Sequence, residues 1–154
     1  MNVDWEGVTA RVVVEACSAT PEDIVLYAGD DAVAAELLPR VQTLARRDGL
    51  VDPPAGLSII CLHGWLRRRP PAEQKAVIQA AARLLPPRGL LVVGDVMWSF
   101  PKDDIDAPEQ FGDALEHVQT TATIEAWARA AGFLPDLHRF GPGVAVLIAI
   151  RGQS

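Results

Sequence analysis

Cysteine is scarce in this chain, and its two copies form no pattern. Cys17 and Cys61 lie far apart, each in an apolar stretch of the 154 residues. A metal-binding motif or a disulfide framework needs cysteines that are closer together or more numerous. The sequence therefore predicts two buried, reduced thiols, which is typical of a cytoplasmic protein, and it predicts no metal site.

Long hydrophobic runs are absent as well. No stretch approaches the roughly 18 apolar residues of a membrane span, and the first residues lack the apolar core of a signal peptide. The chain is acidic, with 14 lysines and arginines against 20 aspartates and glutamates. We therefore expect neither a membrane nor nucleic acid as a partner. Arg67–Arg69 is the main basic cluster, interpreted as a solvated loop, with an anion or partner contact as the alternative.

What is present is the pattern of one α/β domain over residues 1–154. Hydrophobic residues make up 49% of the chain, enough for a substantial core. Short continuous apolar runs bounded by turn residues predict buried parallel strands. The last strands form a hairpin around Gly141-Pro142-Gly143. The five predicted strands are Ile24–Ala28, Leu57–Leu62, Leu90–Val96, Leu134–Phe140 and Val144–Ile150.

Helices are predicted between these strands. Asp30 and Asp31 are good capping residues for a helix that Pro39 interrupts, and Arg40–Arg47 is predicted to continue it as a second helical piece. The irregular, acidic segment Met97–Gln119 is interpreted as a lid. The other predicted helices are Trp5–Cys17, where a strand is the alternative, a helix that begins at Pro70-Pro71, and Thr121–Ala131, which ends at Gly132.

The second half of the chain resembles the class I S-adenosylmethionine (SAM) methyltransferases. Pro86–Val96 is similar to the Pro/Gly turn of that family and the strand that follows it. Ala131-Gly132-Phe133 matches the step after the last helix, and Leu57–Leu66 is similar to the family's fourth strand. The resemblance implies a shortened, Rossmann-like methyltransferase sheet of about five strands with a C-terminal antiparallel hairpin.

The first half departs from the family pattern. The family places a glycine-rich turn after its first strand, where the backbone approaches the cofactor. Here only Gly29 is retained, Tyr27 replaces the usual acid, and Asp30 and Asp31 stand where small residues are expected. The family's next strand ends in an acid that holds the ribose. Asp48 and Asp52 are the candidates for that acid, but neither follows an apolar strand in the sequence.

The ends of the predicted parallel strands supply the candidate site residues, because such ends meet at one edge of the sheet. By the resemblance, Gly29, Asp30 and Asp31 are the candidate cofactor-binding residues, and SAM binding is expected to be weak at best. The candidate catalytic residues are His63, a histidine that could serve as a general base, and Asp95. The candidate substrate-binding residues are Trp65, Met97 and Trp98, which could form a wall for a flat small molecule.

Two function classes follow. One is a non-catalytic accessory or regulatory subunit that pairs with itself or with an intact methyltransferase, because the shortened sheet is expected to leave its first strand as an open edge. The other is an active small-molecule enzyme, either a SAM-dependent methyltransferase with an atypical cofactor site or a SAM-independent enzyme derived from that fold.

Overall fold

The computed structural model of the protein describes residues 5–98, 117–140 and 143–152. Four helices and six strands occupy these residues. Most of the predicted lid, Met97–Gln119, lies outside them. The helices are α1 (Trp5–Cys17), α2 (Asp31–Leu37), α3 (Pro71–Leu84) and α4 (Thr121–Ala131). The strands are β1 (Ile24–Ala28), β2 (Thr43–Arg46), β3 (Ile59–His63), β4 (Leu90–Val96), β5 (Phe133–Arg139) and β6 (Val144–Arg151).

The strands form a single sheet in the order β2-β1-β3-β4-β6-β5. The first four run parallel, and β6 is antiparallel to both β4 and β5. This arrangement confirms the predicted α/β class, the parallel core and the C-terminal hairpin. The carboxyl ends of β1, β2 and β3 therefore open on one edge of the sheet, where folds of this kind bind ligands.

Strand β2 corrects the predicted second helix over Arg40–Arg47. A 3-10 turn ends at Arg40, and Thr43–Arg46 then pairs in parallel with β1, with Ile24 opposite Thr43. Leucine, alanine and arginine favour helices, but pairing with β1 overrides that preference. Only Ala45 of the strand is buried, so no apolar run revealed it. The edge strand is thus β2, and β1 lies inside the sheet.

Two layers of helices cover the sheet. On one face, the core joins α3 and α4 to side chains such as Leu91 and Leu147. On the other face, α1 and α2 pack on side chains such as Val25 and Val92. Helix α1 comes very close to β4. A Cβ at Gly94 would lie only 2.5 Å from Val13 Cγ2, so glycine permits this approach. This close approach brings α1 next to the end of β3.

The helix ends follow the predicted capping chemistry. The Asp30 side chain accepts a hydrogen bond from the amide of Val33 at the start of α2. Thr120 caps α4 in the same way, and Gly132 ends that helix in the left-handed conformation that glycine tolerates. Within the part of the chain that the structure describes, no helix combines the length and apolarity of a membrane span.

Candidate functional site

A cavity of about 400 Å³ opens at the carboxyl ends of β1, β2 and β3. This volume lies within the range of small-molecule sites. Charged side chains dominate its wall, in contrast to the mostly apolar lining of a typical pocket. The lining residues are Gly29, Asp30, Arg46, Arg47, Asp48, His63, Gly64, Trp65 and Arg68.

The turn after β1 contributes Gly29 and Asp30 to the cavity lining. Gly29 has a positive φ of 155°, and a Cβ there would lie 2.5 Å from the carbonyl oxygen of His63. Only glycine fits this close approach. Tyr27 is buried beneath the turn, and its hydroxyl lies 3.5 Å from Asp30 Oδ1. Burial first, and the Asp30 carboxylate second, raise the pKa of Tyr27 far above its ordinary value, so its hydroxyl stays neutral.

His63 is held at both ring nitrogens. Its Nδ1 lies 2.6 Å from Asp30 Oδ2, and its Nε2 lies 2.7 Å from the hydroxyl oxygen of Thr9 on α1. The imidazole is almost completely buried, and so is Thr9. A general base needs a ring nitrogen within hydrogen-bond reach of its substrate. In this arrangement both nitrogens are engaged by protein atoms.

Asp48 follows β2 directly after Arg47 and stands at the rim of the cavity. Its Oδ1 accepts hydrogen bonds from Trp65 Nε1 at 2.9 Å and from Arg69 at 2.8 Å. The Trp65 bond first, and the Arg69 charge second, hold the pKa of Asp48 below its ordinary value. The Trp65 ring packs on the neighbouring backbone, since a Cβ at Gly49 would lie 3.0 Å from it. The Arg69 guanidinium stacks over the same ring at 4.6 Å.

Asp31 and Arg46 form an ion pair beside the cavity. Arg46 bonds the Asp31 carboxylate and also donates to the carbonyl oxygen of Gly29 at 3.0 Å. The Asp31 side chain is 90% exposed, and it does not line the cavity. The Arg46 side chain therefore ties β2 to the turn after β1.

Asp95 is buried and does not line the cavity. It accepts hydrogen bonds from the amides of Val96 at 2.8 Å and Arg67 at 3.2 Å, and the Arg67 guanidinium lies 3.4 Å away. Burial raises the pKa of Asp95, and the Arg67 charge opposes that rise. Asp95 thus anchors the 3-10 turn Leu66–Arg68 that follows β3.

The structure brings four of the eight candidate residues together. Gly29, Asp30, His63 and Trp65 line the same cavity. Asp31 points to solvent, and Asp95, Met97 and Trp98 are buried outside the cavity lining. A Met97–Trp98 wall beside Trp65 is therefore not part of this cavity. The catalytic and cofactor-binding roles stay predictions.

Sequence reasoning missed the arginines of the site. Arg46 and Arg47 reach the cavity only because Thr43–Arg46 is a strand, and Arg68 lies in the basic cluster interpreted mainly as a solvated loop. The signal available in the sequence was the arginine pair Arg46-Arg47 followed directly by Asp48. The described residues contain no group of three or more histidine, cysteine, aspartate or glutamate side chains that could hold a metal ion.

Comparison of the sequence identifies no relative. No protein-family model matches it, and no curated protein is significantly similar to it.

Comparison of the structure finds many similar folds. A provisionally assigned methyltransferase from Bacillus halodurans has a TM-score of 0.72 at 12% identity, with 96% of this chain and all of that chain covered. A chain of the complex between the Haloferax volcanii Trm112 methyltransferase activator and a provisionally assigned methyltransferase has a TM-score of 0.73 at 10% identity. That match covers 97% of this chain and 90% of the other.

Human N-acetylserotonin methyltransferase, solved in complex with SAM, has a TM-score of 0.68 at 15% identity, with 95% of this chain covered. This chain spans 52% of the human chain and 56% of two other methyltransferase structures that it matches. At identities of 10–15%, the likeness establishes the fold alone. The fold of this protein is therefore class I methyltransferase-like.

Proposed function

We propose that this chain is a methyltransferase-like protein that carries out no SAM-dependent catalysis on its own and serves as an accessory or regulatory subunit of a methyltransferase or a biosynthetic complex. The observation that carries the proposal is the environment of Asp48. This acid follows the second strand, where the family resemblance implies the ribose-binding acid. Its Oδ1 accepts bonds from Trp65 and Arg69, and the Trp65 ring covers the adjacent backbone.

The turn after β1 supports the same conclusion. The resemblance implies an acid and small residues here, where the cofactor's methionine part would lie against bare backbone. In this chain Asp30 projects from the turn and bonds His63, and the neutral Tyr27 replaces the acid. A ligand that needs this space must displace an existing hydrogen-bonded network, which weakens its binding.

A protein partner is part of the proposal. Parallel sheets are normally covered, and an exposed edge strand offers unpaired backbone groups to another chain. Strand β2 ends the sheet of the described residues on one side. A chain similar to this one occurs in a complex with a methyltransferase activator. The partner is an intact methyltransferase or a second copy of this chain.

The proposal is tested by titrating SAM and S-adenosylhomocysteine into the purified chain by calorimetry. We expect no binding in the micromolar range, because Oδ1 of Asp48 already accepts two hydrogen bonds and the side chains of Asp30 and Tyr27 occupy the turn. The double variant W65F/R69Q removes both donors from Asp48 and keeps an aromatic ring, so it is expected to bind SAM more tightly than the wild type. Light scattering on the chain mixed with a candidate methyltransferase tests the partner.

One observation favours a second candidate, an active methyltransferase with an atypical cofactor site. Strand β2 delivers an acid, Asp48, to the edge of the cavity, although the sequence predicted no such strand. If this candidate is correct, the wild type binds SAM at low micromolar concentration and Asp48→Asn weakens that binding. That result would overturn the accessory role.

A further inference from the structure

The cavity holds more positive than negative charge, although the chain is acidic overall. Three arginines line it, Arg46, Arg47 and Arg68, against two aspartates. The chain as a whole carries a net charge of −6. A local concentration of arginine on an acidic protein is unlike the mixed charge of an ordinary solvated surface.

The two aspartates that line the cavity form hydrogen bonds with residues other than Arg47 and Arg68. Asp30 bonds His63 Nδ1 and the amide of Val33. Asp48 accepts from Trp65 and from Arg69, which lies beside the cavity. Neither carboxylate is hydrogen-bonded to Arg47 or Arg68, so these two charges are not neutralised by the acids beside them.

Arg46 pairs with Asp31, and the other two arginines, Arg47 and Arg68, are available to a ligand. Arg47 donates a hydrogen bond to the carbonyl oxygen of Arg46 at 3.0 Å. This bond occupies one donor of Arg47 and does not neutralise the positive charge of its guanidinium. Both residues are exposed. Across residues 5–98, 117–140 and 143–152, no ion pair joins either of them to an acid. Arginine presents a planar fork of donors that matches phosphate oxygens.

We propose that this cavity binds a phosphorylated small molecule, with Arg47 and Arg68 holding the phosphate. The inference rests on the proposed function, because it assigns a ligand to a pocket whose SAM-binding features are engaged by protein side chains. Its volume of about 400 Å³ exceeds what a lone phosphate needs and leaves room for the body of a metabolite. Gly29 and Gly64 keep that part of the wall free of side chains.

The same charge is expected to disfavour SAM in this cavity. The methyl group of SAM is carried by a positively charged sulfonium, which uncompensated arginines repel. A phosphate is attracted by the same groups, more strongly at low ionic strength. The two ligands are therefore distinguished by the sign of their charge.

The test uses inorganic pyrophosphate as the probe, titrated by calorimetry at low ionic strength. We expect saturable binding that weakens at least about tenfold in each of Arg47→Gln and Arg68→Gln, the loss expected for one charge-assisted hydrogen bond. Arg83→Gln is the matched control, because Arg83 is an exposed arginine of α3 outside the cavity lining. It is expected to leave pyrophosphate affinity unchanged.

Three results would overturn the inference: no pyrophosphate binding to the wild type, unchanged binding in the double variant R47Q/R68Q, or an equal loss in the Arg83 control. The melting temperature of each variant is measured alongside, so that a folding defect is recognised. SAM titrated into the same samples reports on the proposed function separately. Pyrophosphate can fail to bind while the accessory role stands, and micromolar SAM binding removes that role whatever pyrophosphate does.

Discussion

His63 shares its two ring nitrogens between α1 and the turn after β1. The chain Thr9–His63–Asp30 has contacts of 2.7 Å and 2.6 Å, and it joins three elements that are distant in sequence. A buried polar group that loses its partner costs more than the bond contributed, because it cannot regain its water. This small network therefore contributes to stability as well as to the shape of the cavity.

Replacing Thr9 by valine tests that contribution. Valine keeps the volume but removes the hydroxyl beside His63 Nε2, so we expect a loss of about 1–3 kcal/mol in the free energy of unfolding. Urea denaturation measures it. Thr43→Val on the exposed edge of the sheet is the control, expected to change stability by no more than about 0.5 kcal/mol. An equal effect of both substitutions would contradict a role for the Thr9–His63 bond.

The burial of Asp95 is expected to make the stability of the protein depend on pH. Its pKa in the folded protein is raised, chiefly by burial. The folded state therefore favours the protonated form, and the stability that Asp95 contributes is fully present below about pH 4, its unfolded range. That contribution is lost as the pH rises through the raised folded pKa.

The Asp95 prediction is measured by urea unfolding of the wild type and Asp95→Asn over a pH series. The difference in unfolding free energy, wild type minus variant, is expected to fall as the pH rises from about 4. A difference that grows over this range would mean that the Arg67 ion pair outweighs burial.

At the scale of elements, β2 is where local preference and tertiary pairing disagree. The residues around Leu44 and Ala45 favour a helix, and the short strand buries Ala45 alone. Its conformation comes from hydrogen bonds to β1, and the residues of β2 alone do not indicate that pairing. This strand also places Arg46 at the cavity. The wrong helix prediction for Arg40–Arg47 therefore concealed part of the site.

Amide hydrogen exchange tests the strand. The amides of Thr43 and Arg47 donate to carbonyls of Asp23 and Tyr27, and a parallel edge strand alternates inward and outward amides. We therefore expect slow exchange at positions 43, 45 and 47 and fast exchange at 44 and 46. Consecutive protected amides from 43 to 47 would indicate the helix instead. Binding of a partner at this edge would slow exchange at 44 and 46.

At the scale of the whole molecule, the sheet order creates both the cavity and the open edge. The cavity lies where β1, β2 and β3 end, and β2 ends the sheet beside it. A partner that adds to β2 would therefore lie next to Arg46 and Arg47. One domain spanning residues 1–154 remains a prediction, as does the cytoplasmic location.

The sequence by itself determined the elements that carry their own signals. β1 is a continuous apolar run, β4 begins with four apolar residues, and the predicted bounds of both are the observed ones. Helix α4 ends at a glycine whose conformation few other residues adopt. Such signals are local, because burial of a whole strand or a left-handed φ restricts the residue types at that position.

Only the tertiary structure decided how the site is assembled. Trp65 and Asp48 are separated by 17 residues, and His63 and Thr9 by 54, yet each pair shares a hydrogen bond. Asp95 is a candidate catalytic residue by its position in the sequence, and the fold buries it beside Arg67. Contacts of this kind depend on which strands pair and how closely α1 approaches the sheet, and no residue pattern within one element records those distances.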